Sequence, residues 1–157
     1  MTAKKKASRV LVIDTCVVRS AGETNHPVSS ACRNYLKAVL DICHHVALSE
    51  RISEEWRRHQ SGYARKWRCA MYARKKVDDV GSVNTELDLQ NFGPRQQKAI
   101  AKDLFLLEAA LAADKEIVSC DQALHDALGS TAPGMHLRDR ITWRNPVTDG
   151  TAHLERT

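Results

Sequence analysis

Three kinds of segment are missing from this 157-residue sequence, and each absence excludes a class of protein. No apolar run approaches the roughly 18 to 20 residues that span a membrane. No apolar segment with a cleavage site follows the basic start at residues 4–6, so we expect no secretory signal. No glycine-rich turn follows the first predicted strand, which argues against a dinucleotide-binding enzyme. We therefore expect a cytoplasmic protein that has no membrane partner.

The cysteines are few and widely spaced. There are five, none of them in a CxxC pair, namely Cys16, Cys32, Cys43, Cys69 and Cys120. Zinc sites show closely paired cysteines, and disulfide frameworks show even numbers of them. We therefore expect reduced and mostly buried thiols.

The rest of the composition is typical of one globular domain. The chain is 43% hydrophobic and 27% charged, and it is long enough to bury a real core. We expect a single domain over residues 1–157, with a flexible basic tail at 1–8 and a frayed tail at 148–157. The net charge of +5 is compatible with a polyanionic partner.

Strand patterns and helix patterns alternate along the chain. We predict strands at 9–13, 45–48, 116–120 and 140–143, and helices at 28–43, 50–59, 61–79, 94–113 and 123–128. The segments between them, including 17–27 and 80–93, are predicted to be connections. This alternation predicts a three-layer α/β/α sandwich with a mainly parallel sheet of four to five strands. Ligands bind such sheets at the carboxyl ends of the strands.

Two of the predicted strands end on an aspartate. VLVI leads into Asp14, and IVSC leads into Asp121. An unpaired charge beside a core is costly, so each carboxylate needs a partner. Both would lie at the ligand-binding edge of a parallel sheet. Asp121 could instead only cap the helix that follows it, whereas the segment after Asp14 has no clear helix pattern.

A third acid comes from the predicted helix at 50–59. At about 100° per residue, Glu55 lies on the same side as Ile52, and Glu54 lies on the opposite side. We therefore expect Glu55 to face the edge of the core. The alternative is that both glutamates are solvated surface acids.

A fourth acid stands on the predicted helix at 94–113. From residue 104 to residue 113 only Glu108 is polar, which indicates a buried helix. Asp103 stands at the entrance to this apolar stretch, where an acid needs a partner. Glu108 is a competing candidate, or it could pair with a lysine or arginine.

Several acids at one sheet edge would repel one another strongly unless something neutralised them. Hard divalent cations such as Mg²⁺ prefer oxygen ligands. A carboxylate site of this kind can activate water and stabilise charge on a phosphoryl group. The pattern therefore favours a cation site formed by Asp14, Glu55 and Asp121 together with Asp103 or its competitor Glu108.

Four stretches of the sequence resemble those of PIN-domain nucleases. Three are RVLVIDTCVV, ALSERISEEWRRH and KDLFLLEAALAADKEIVSCDQAL, in that family's order, and the closing ITWRNPV is similar to the last strand of some bacterial and archaeal members. Together they span about residues 9 to 147. The resemblance implies an α/β/α sandwich with a parallel sheet and an acidic pocket that binds Mg²⁺ or Mn²⁺.

The resemblance also implies roles for individual residues. The family's four catalytic, metal-binding acids fall on Asp14, Glu55, Asp103 and Asp121. Thr15 matches the hydroxyl residue after the first acid, and Ser119 lies near the fourth. Many members have serine or asparagine where this chain has Cys16. A thiol is a poor ligand for a hard cation, so we do not expect Cys16 to bind the metal.

The implied reaction is hydrolysis of an RNA phosphodiester bond. Family members cleave single-stranded or structured RNA with one or two cations that orient a water molecule and stabilise the developing charge. Some members are toxins of toxin–antitoxin pairs, and the family often dimerises. RNA, an antitoxin protein and a second copy of the chain are therefore the implied partners.

A basic segment at 57–76 is a candidate surface for the RNA. It combines positive charge with aromatic rings, and its members include Tyr63, Arg65, Trp67, Arg68 and Tyr72. Charge for phosphates and rings for bases are what a single strand needs. The alternative is an amphipathic helix whose Tyr63, Trp67 and Met71 pack on the core. Arg95 and Lys102 are further candidates for phosphate contacts, with solvated surface as their alternative.

Two other functions fit parts of the sequence. One is an RNA-binding module with little or no turnover, carried by the basic segment. The other is a phosphotransferase, because haloacid-dehalogenase-like enzymes also place an aspartate after the first strand. Those enzymes need a second aspartate two residues later, where this chain has Cys16, so the sequence argues against them.

Overall fold

A five-stranded sheet organises the computed structural model, which describes residues 8–155. The strands are β1 (Val10–Ile13), β2 (His45–Leu48), β3 (Val77–Asp79), β4 (Glu116–Val118) and β5 (Thr142–Arg144). The helices are α1 (Thr15–Ser20), α2 (Pro27–Asp41), α3 (Glu50–His59), α4 (Gly62–Ala73), α5 (Pro94–Ala112), α6 (Ala123–Leu128), α7 (Ala132–Asp139) and α8 (Pro146–Asp149). Helices flank the sheet, which confirms the predicted α/β/α sandwich.

All four strand pairs are parallel, in the order β3-β2-β1-β4-β5. The central strand β1 pairs with β2 through Val10 and His45, and with β4 through Val12 and Ile117. Leu11, Val12 and Ile13 are fully buried, as expected for a strand covered on both faces. Starting from β1, the next two strands are therefore added on one side of the sheet and the last two on the other. The direction in which strands are added reverses between β1 and β4.

Two helix starts were readable from the sequence. Ser49 caps α3, because its Oγ accepts a hydrogen bond from the backbone N–H of Ile52 at 3.2 Å. Pro94 occupies the first turn of α5, where its missing N–H costs nothing. Helix α5 is not regular throughout, since Asp103 has a non-helical backbone (φ −115°, ψ 15°) that kinks it.

The predicted helix at 61–79 is wrong in its last third. Helix α4 ends at Ala73, and residues 77–79 form the edge strand β3, which pairs with β2. The backbone of Lys75 is left-handed (φ 56°), so the helix cannot continue through it. The basic residues of this segment suit a helix and a turn equally well, so the sequence did not indicate that the helix ends before β3.

Three helices were not predicted. Helix α1 fills Thr15–Ser20 and overlaps the connection expected at 17–27, α7 fills Ala132–Asp139, and α8 fills Pro146–Asp149. Six residues are too few to show helical periodicity, and α1 forms because Val17 and Val18 are buried against the core. Thr131 and a proline in the first turn start α7.

The predicted frayed tail is wrong for residues 148–155. After α8, a short 3₁₀ turn at Ala152–Leu154 returns to the body of the domain. Leu154 is fully buried, and Arg9 donates a hydrogen bond to the backbone oxygen of His153 at 2.8 Å. Residues 156–157, and residues 1–7 of the predicted basic tail, lie outside the described residues.

None of the five cysteines, all of which lie within residues 8–155, is in a disulfide, in agreement with the prediction of reduced thiols. Cys32 is buried and Cys16 and Cys120 are half-buried, but Cys43 and Cys69 are exposed, so burial is less complete than expected. Within residues 8–155, no helix has both the length and the apolar character needed to cross a membrane.

Candidate functional site

A pocket of about 270 Å³ lies beyond the carboxyl ends of β1 and β4. This is where the strand order reverses, and open α/β sheets bind their ligands at such a switch point. All four predicted acids line the pocket. Its lining residues are Asp14, Thr15, Cys16, Arg19, Arg51, Glu55, His59, Lys102, Asp103, Phe105 and Asp121. We call it the acid pocket.

Asp14 enters the acid pocket directly from the end of β1. It stands at the cap position of α1, but its side chain makes no capping hydrogen bond. Its Oδ2 instead accepts hydrogen bonds from the Oγ of Ser119 at 2.8 Å and from the Sγ of Cys16 at 3.5 Å. The carboxylate is therefore held toward the pocket rather than used to start the helix.

Ser119 connects the two acids that follow strands. While its Oγ donates to Asp14, it also accepts a hydrogen bond from the backbone N–H of Asp121 at 3.0 Å. Oδ1 of Asp121 accepts from the N–H of Ala123 at 2.8 Å. Asp121 thus bonds to the first residue of α6 and lines the acid pocket at the same time. The cap position of α6 is Gln122, so Asp121 is not the cap residue that the alternative interpretation predicted.

Glu55 faces the acid pocket, and its neighbour does not. The side chain of Glu55 is 23% exposed, against 48% for Glu54. Glu55 lies 3.4 Å from Nε of Arg51 and 3.9 Å from Nε2 of His59, one helical turn on either side. Glu54 pairs instead with Arg58 at 2.9 Å on the outer face. This confirms the orientation predicted from helical spacing.

Asp103 projects from the kink in α5. Its burial, followed by the charge of Asp14, raises the pKa of this carboxyl from 3.8 to about 6. Lys102 opposes the rise, whereas Asp121 and Glu55 add to it. The raised pKa of Asp103 therefore reflects its burial first and, second, electrostatic repulsion from the other three acids.

The competing acid, Glu108, lies elsewhere. It lines a different pocket together with Gly81 and Ser82, and its backbone oxygen accepts a hydrogen bond from the N–H of Val83 at 3.1 Å. Glu108 therefore does not line the acid pocket, and of the two competing acids on α5 only Asp103 does.

Among residues 8–155, no three His, Cys, Asp or Glu side chains form a group ready to hold a metal ion. The donor chemistry nevertheless fits a hard divalent cation, because four carboxylates border one pocket. Glu55 is engaged with Arg51 and His59. A cation would therefore require these side chains to move closer together.

Cys16 lines the pocket as a neutral thiol. Its contact with the thiol of Cys120, its burial and the charge of Asp14 raise the pKa of Cys16 far above the usual range. Its Sγ accepts a hydrogen bond from the backbone N–H of Cys120 at 3.2 Å. Cys16 therefore joins α1 to the turn after β4.

Basic and aromatic side chains complete the pocket wall. Of the predicted substrate-binding residues, Thr15 and Lys102 line it. Four further residues line it that were not predicted, namely Arg19, Arg51, His59 and Phe105. Arg51 and His59 stand four residues before and after Glu55, a spacing that could have revealed them. The guanidinium of Arg51 also lies 5.2 Å from the centre of the Phe105 ring.

Three predicted phosphate contacts lie outside the acid pocket. Arg95 borders a separate pocket beside α6, and Arg65 is exposed on α4. Arg68 donates a hydrogen bond to the Oγ of Ser53 at 2.8 Å, and its guanidinium lies 5.7 Å from the ring centres of both Trp56 and Tyr72. Arg68 therefore packs α4 against α3.

The aromatic stripe of α4 packs on the core, as the alternative interpretation predicts. Trp67 and Met71 are buried, and Tyr63 is half-buried against the same core. The rings of Trp67 and Trp56 have their centres 5.7 Å apart. Tyr72 is the exposed member of the group.

No protein-family model matches the chain, and neither the curated proteins nor the solved structures include a significant match. The geometry of the acid pocket and the motifs of the sequence are therefore the grounds for assigning a function.

Proposed function

We propose that this protein is a metal-dependent endoribonuclease that hydrolyses phosphodiester bonds of RNA in the acid pocket. The observation that supports the proposal best is that four separate elements deliver Asp14, Glu55, Asp103 and Asp121 to one pocket at the switch point of the sheet. The order of these acids in the sequence, which resembles that of PIN-domain nucleases, supports it independently.

The four acids would hold Mg²⁺ or Mn²⁺. When bound, such an ion supplies positive charge for a developing phosphoryl anion and lowers the pKa of a coordinated water. Asp103 must be ionised to serve as a ligand, and its raised pKa of about 6 means that a proton competes with the metal for this carboxylate at mildly acidic pH.

Residues around the acids would bind and orient the RNA. Arg19, Arg51 and Lys102 line the same pocket and bring positive charge beside the acids. Such groups attract the phosphates of a nucleic acid in a salt-dependent way. Ser119 holds the carboxylate of Asp14 in one orientation, which keeps this acid in place before a substrate arrives.

The first test is cleavage of a mixed pool of labelled RNAs by the wild type and by Asp14→Asn, with Mn²⁺ or Mg²⁺ and with chelator. We expect cleavage that needs the metal and is lost in the variant. Metal-dependent cleavage that persists unchanged in Asp14→Asn would contradict the assignment of the pocket.

Glu55 and Glu54 give a matched pair for the same assay. Glu55→Gln removes an acid that lines the pocket, whereas Glu54→Gln removes its exposed neighbour on the same helix. We expect a loss of at least about 100-fold in rate only for Glu55→Gln, because metal ligands act as a unit. Equal activity of the two variants would exclude Glu55 from the site.

An RNA-binding module without turnover is the second candidate. The exposed basic side chains of α4, such as Arg65, lie outside the acid pocket. They favour this second candidate, because they could bind RNA without the acids. It predicts RNA binding that weakens with salt but persists in Asp14→Asn. Binding of this kind without cleavage of any RNA in the pool would favour this candidate over the nuclease.

The remaining partners and the location are proposed on the sequence alone. RNA in the cytoplasm is the proposed substrate. An antitoxin protein and a second copy of the chain are proposed partners because the PIN-domain family provides precedents for both. Size-exclusion chromatography with light scattering would test the dimer.

A further inference from the structure

A second pocket, of about 210 Å³, adjoins the acid pocket and shares Asp121 with it. Ser119, which lines the second pocket, also donates a hydrogen bond to Asp14 of the acid pocket. It lies beyond the ends of β4 and β5, between the turn before α6 and the start of α8. We infer that this pocket binds the nucleoside next to the cleaved phosphate in a single-stranded RNA. The inference rests on the proposed function, because the acid pocket would hold that phosphate.

An aromatic wall makes the second pocket suitable for a base. Trp143 is half-buried, and its Nε1 donates a hydrogen bond to the backbone oxygen of Arg138 at 3.0 Å. His125 meets Trp143 edge to face, with ring centres 5.2 Å apart and an interplanar angle of 86°. The two rings are therefore fixed in position, and stacking on such rings accommodates any base.

Polar groups complete the wall. Arg144 lines the pocket, and its Nε has no hydrogen-bond partner among the described residues, although it is buried. A buried donor left unpaired is rare in folded proteins and calls for an explanation. Gln122 and Thr148 add an amide and a hydroxyl from exposed positions. These groups suit the edge of a base and the hydroxyls of a ribose.

The occupant follows from the size and position of the pocket. Its volume suits one nucleoside, and its wall is continuous with Asp121 of the acid pocket. A base can enter only if it is splayed out of a strand, as in single-stranded loops and ends but not in a paired helix. The substrate class is therefore RNA with an unpaired nucleotide at the cleaved bond.

Binding can be measured without metal and without cleavage. The chain has three tryptophans, of which Trp56 and Trp67 are buried in the core. In protein labelled with 5-fluorotryptophan and kept in chelator, each of the four nucleoside monophosphates is titrated while the fluorine spectrum is recorded. We expect a saturable shift of the Trp143 signal for at least one of them, with the other two signals unchanged. The variant Trp143→Phe assigns the signal.

Inorganic phosphate is the control for this titration. A shift of the Trp143 signal by phosphate alone, or no shift with any nucleotide, would overturn the inference. The failure of one proposal can be told from the failure of the other. Nucleotide binding without any RNA cleavage would refute only the proposed nuclease activity. RNA cleavage without nucleotide binding at Trp143 would refute only the proposed nucleoside pocket.

Cleavage provides the second readout. Gln122→Ala and Thr148→Ala change exposed side chains, so the fold should be retained. We expect each to raise KM at least threefold for the preferred sequence and to alter the base preference beside the cut, with kcat changed less. Gln90→Ala, which alters an exposed glutamine far along the chain, is the matched control. An unchanged base preference in both variants would overturn the inference.

Discussion

The Oγ of Ser119 donates a hydrogen bond to Oδ2 of Asp14 across 2.8 Å, and this contact ties the turn after β4 to the end of β1. The two residues are separated by 105 positions in the sequence. Their contact joins the central strand β1 to its neighbour β4 at the place where the strand order reverses. The orientation of the first acid is therefore set by a hydroxyl on the neighbouring strand end.

Ser119→Ala should impair both stability and cleavage. It frees Asp14 to rotate and leaves the N–H of Asp121 without its acceptor, which should cost about 1 to 3 kcal/mol of unfolding free energy. We expect a cleavage rate about tenfold lower, as for a loss of positioning. Urea unfolding and kcat measure the two effects. The control is Ser130→Ala, because the hydroxyl of Ser130 bonds to the nearby backbone oxygen of Ala127. An equal kcat in the two variants would contradict the role of Ser119 in positioning Asp14.

The metal-free protein should lose stability as the pH rises from about 4 to about 6. In that range Asp103 keeps its proton in the folded state, where its pKa is about 6, but loses it in the unfolded state. Because the folded state then binds more protons, the contribution of this group to stability is present below pH 4 and is lost as pH rises through 6. Above pH 6 the carboxyl group is ionised in both the folded and the unfolded state, and its unfavourable surroundings then lower the free energy of unfolding by the full amount.

Asp103→Asn should therefore stabilise the metal-free protein at pH 7.5. The gain should be about 1 to 2 kcal/mol, since each unit of pKa corresponds to about 1.4 kcal/mol and solvent screens part of it. Urea unfolding in chelator at pH 4.0 and 7.5 measures it, with little gain expected at the lower pH. A variant less stable than the wild type at pH 7.5 would show that Asp103 forms a favourable contact instead.

Two arginines near α3 should respond differently to removal. Arg51 lines the acid pocket, whereas Arg68 packs over Trp56 and bonds to Ser53. We expect Arg51→Gln to raise KM for RNA about three- to tenfold with little change in stability. Arg68→Gln should lower the unfolding free energy by about 1 kcal/mol and leave KM unchanged. The reverse pattern would mean that the substrate runs along α4.

Leu154 should be part of the folded core. It is fully buried, and its backbone oxygen lies 2.6 Å from Nε2 of His44. Leu154→Ala should lower the unfolding free energy by about 2 to 5 kcal/mol, the usual cost of a cavity. Val147→Ala, at an exposed position on α8, should have almost no effect. If both variants unfold at the wild-type urea concentration, the burial of Leu154 does not contribute to the stability of the fold.

The sequence predicted those parts of the site that depend on regular periodicity. Asp14 and Asp121 follow buried strands, and helical spacing separates Glu55 from Glu54. These positions follow from local geometry alone, so no tertiary information was needed. The parallel sheet was predicted for the same reason, apart from the edge strand β3, whose three residues are half-buried or exposed and carry almost no pattern.

Other parts depended on contacts between distant segments. Helix α1 is stabilised by the burial of Val17 and Val18 rather than by its own sequence pattern. The position of Arg68 over Trp56 depends on how α4 crosses α3, which no spacing within α4 reveals. The same holds for Arg95, which was grouped with Lys102 but lies nearly two turns away along α5 and borders a different pocket.

The kink in α5 shows that the acid pocket depends on backbone shape as well as on side-chain identity. Asp103 lies at the one non-helical position within α5, between a half that carries Lys102 and a half buried in the core. On a straight helix the side chain of Asp103 would extend from the helix axis in a different direction. An attempt to graft this site onto another α/β scaffold would therefore have to copy the bend together with the four acids, and a design that preserved only their identities would fail.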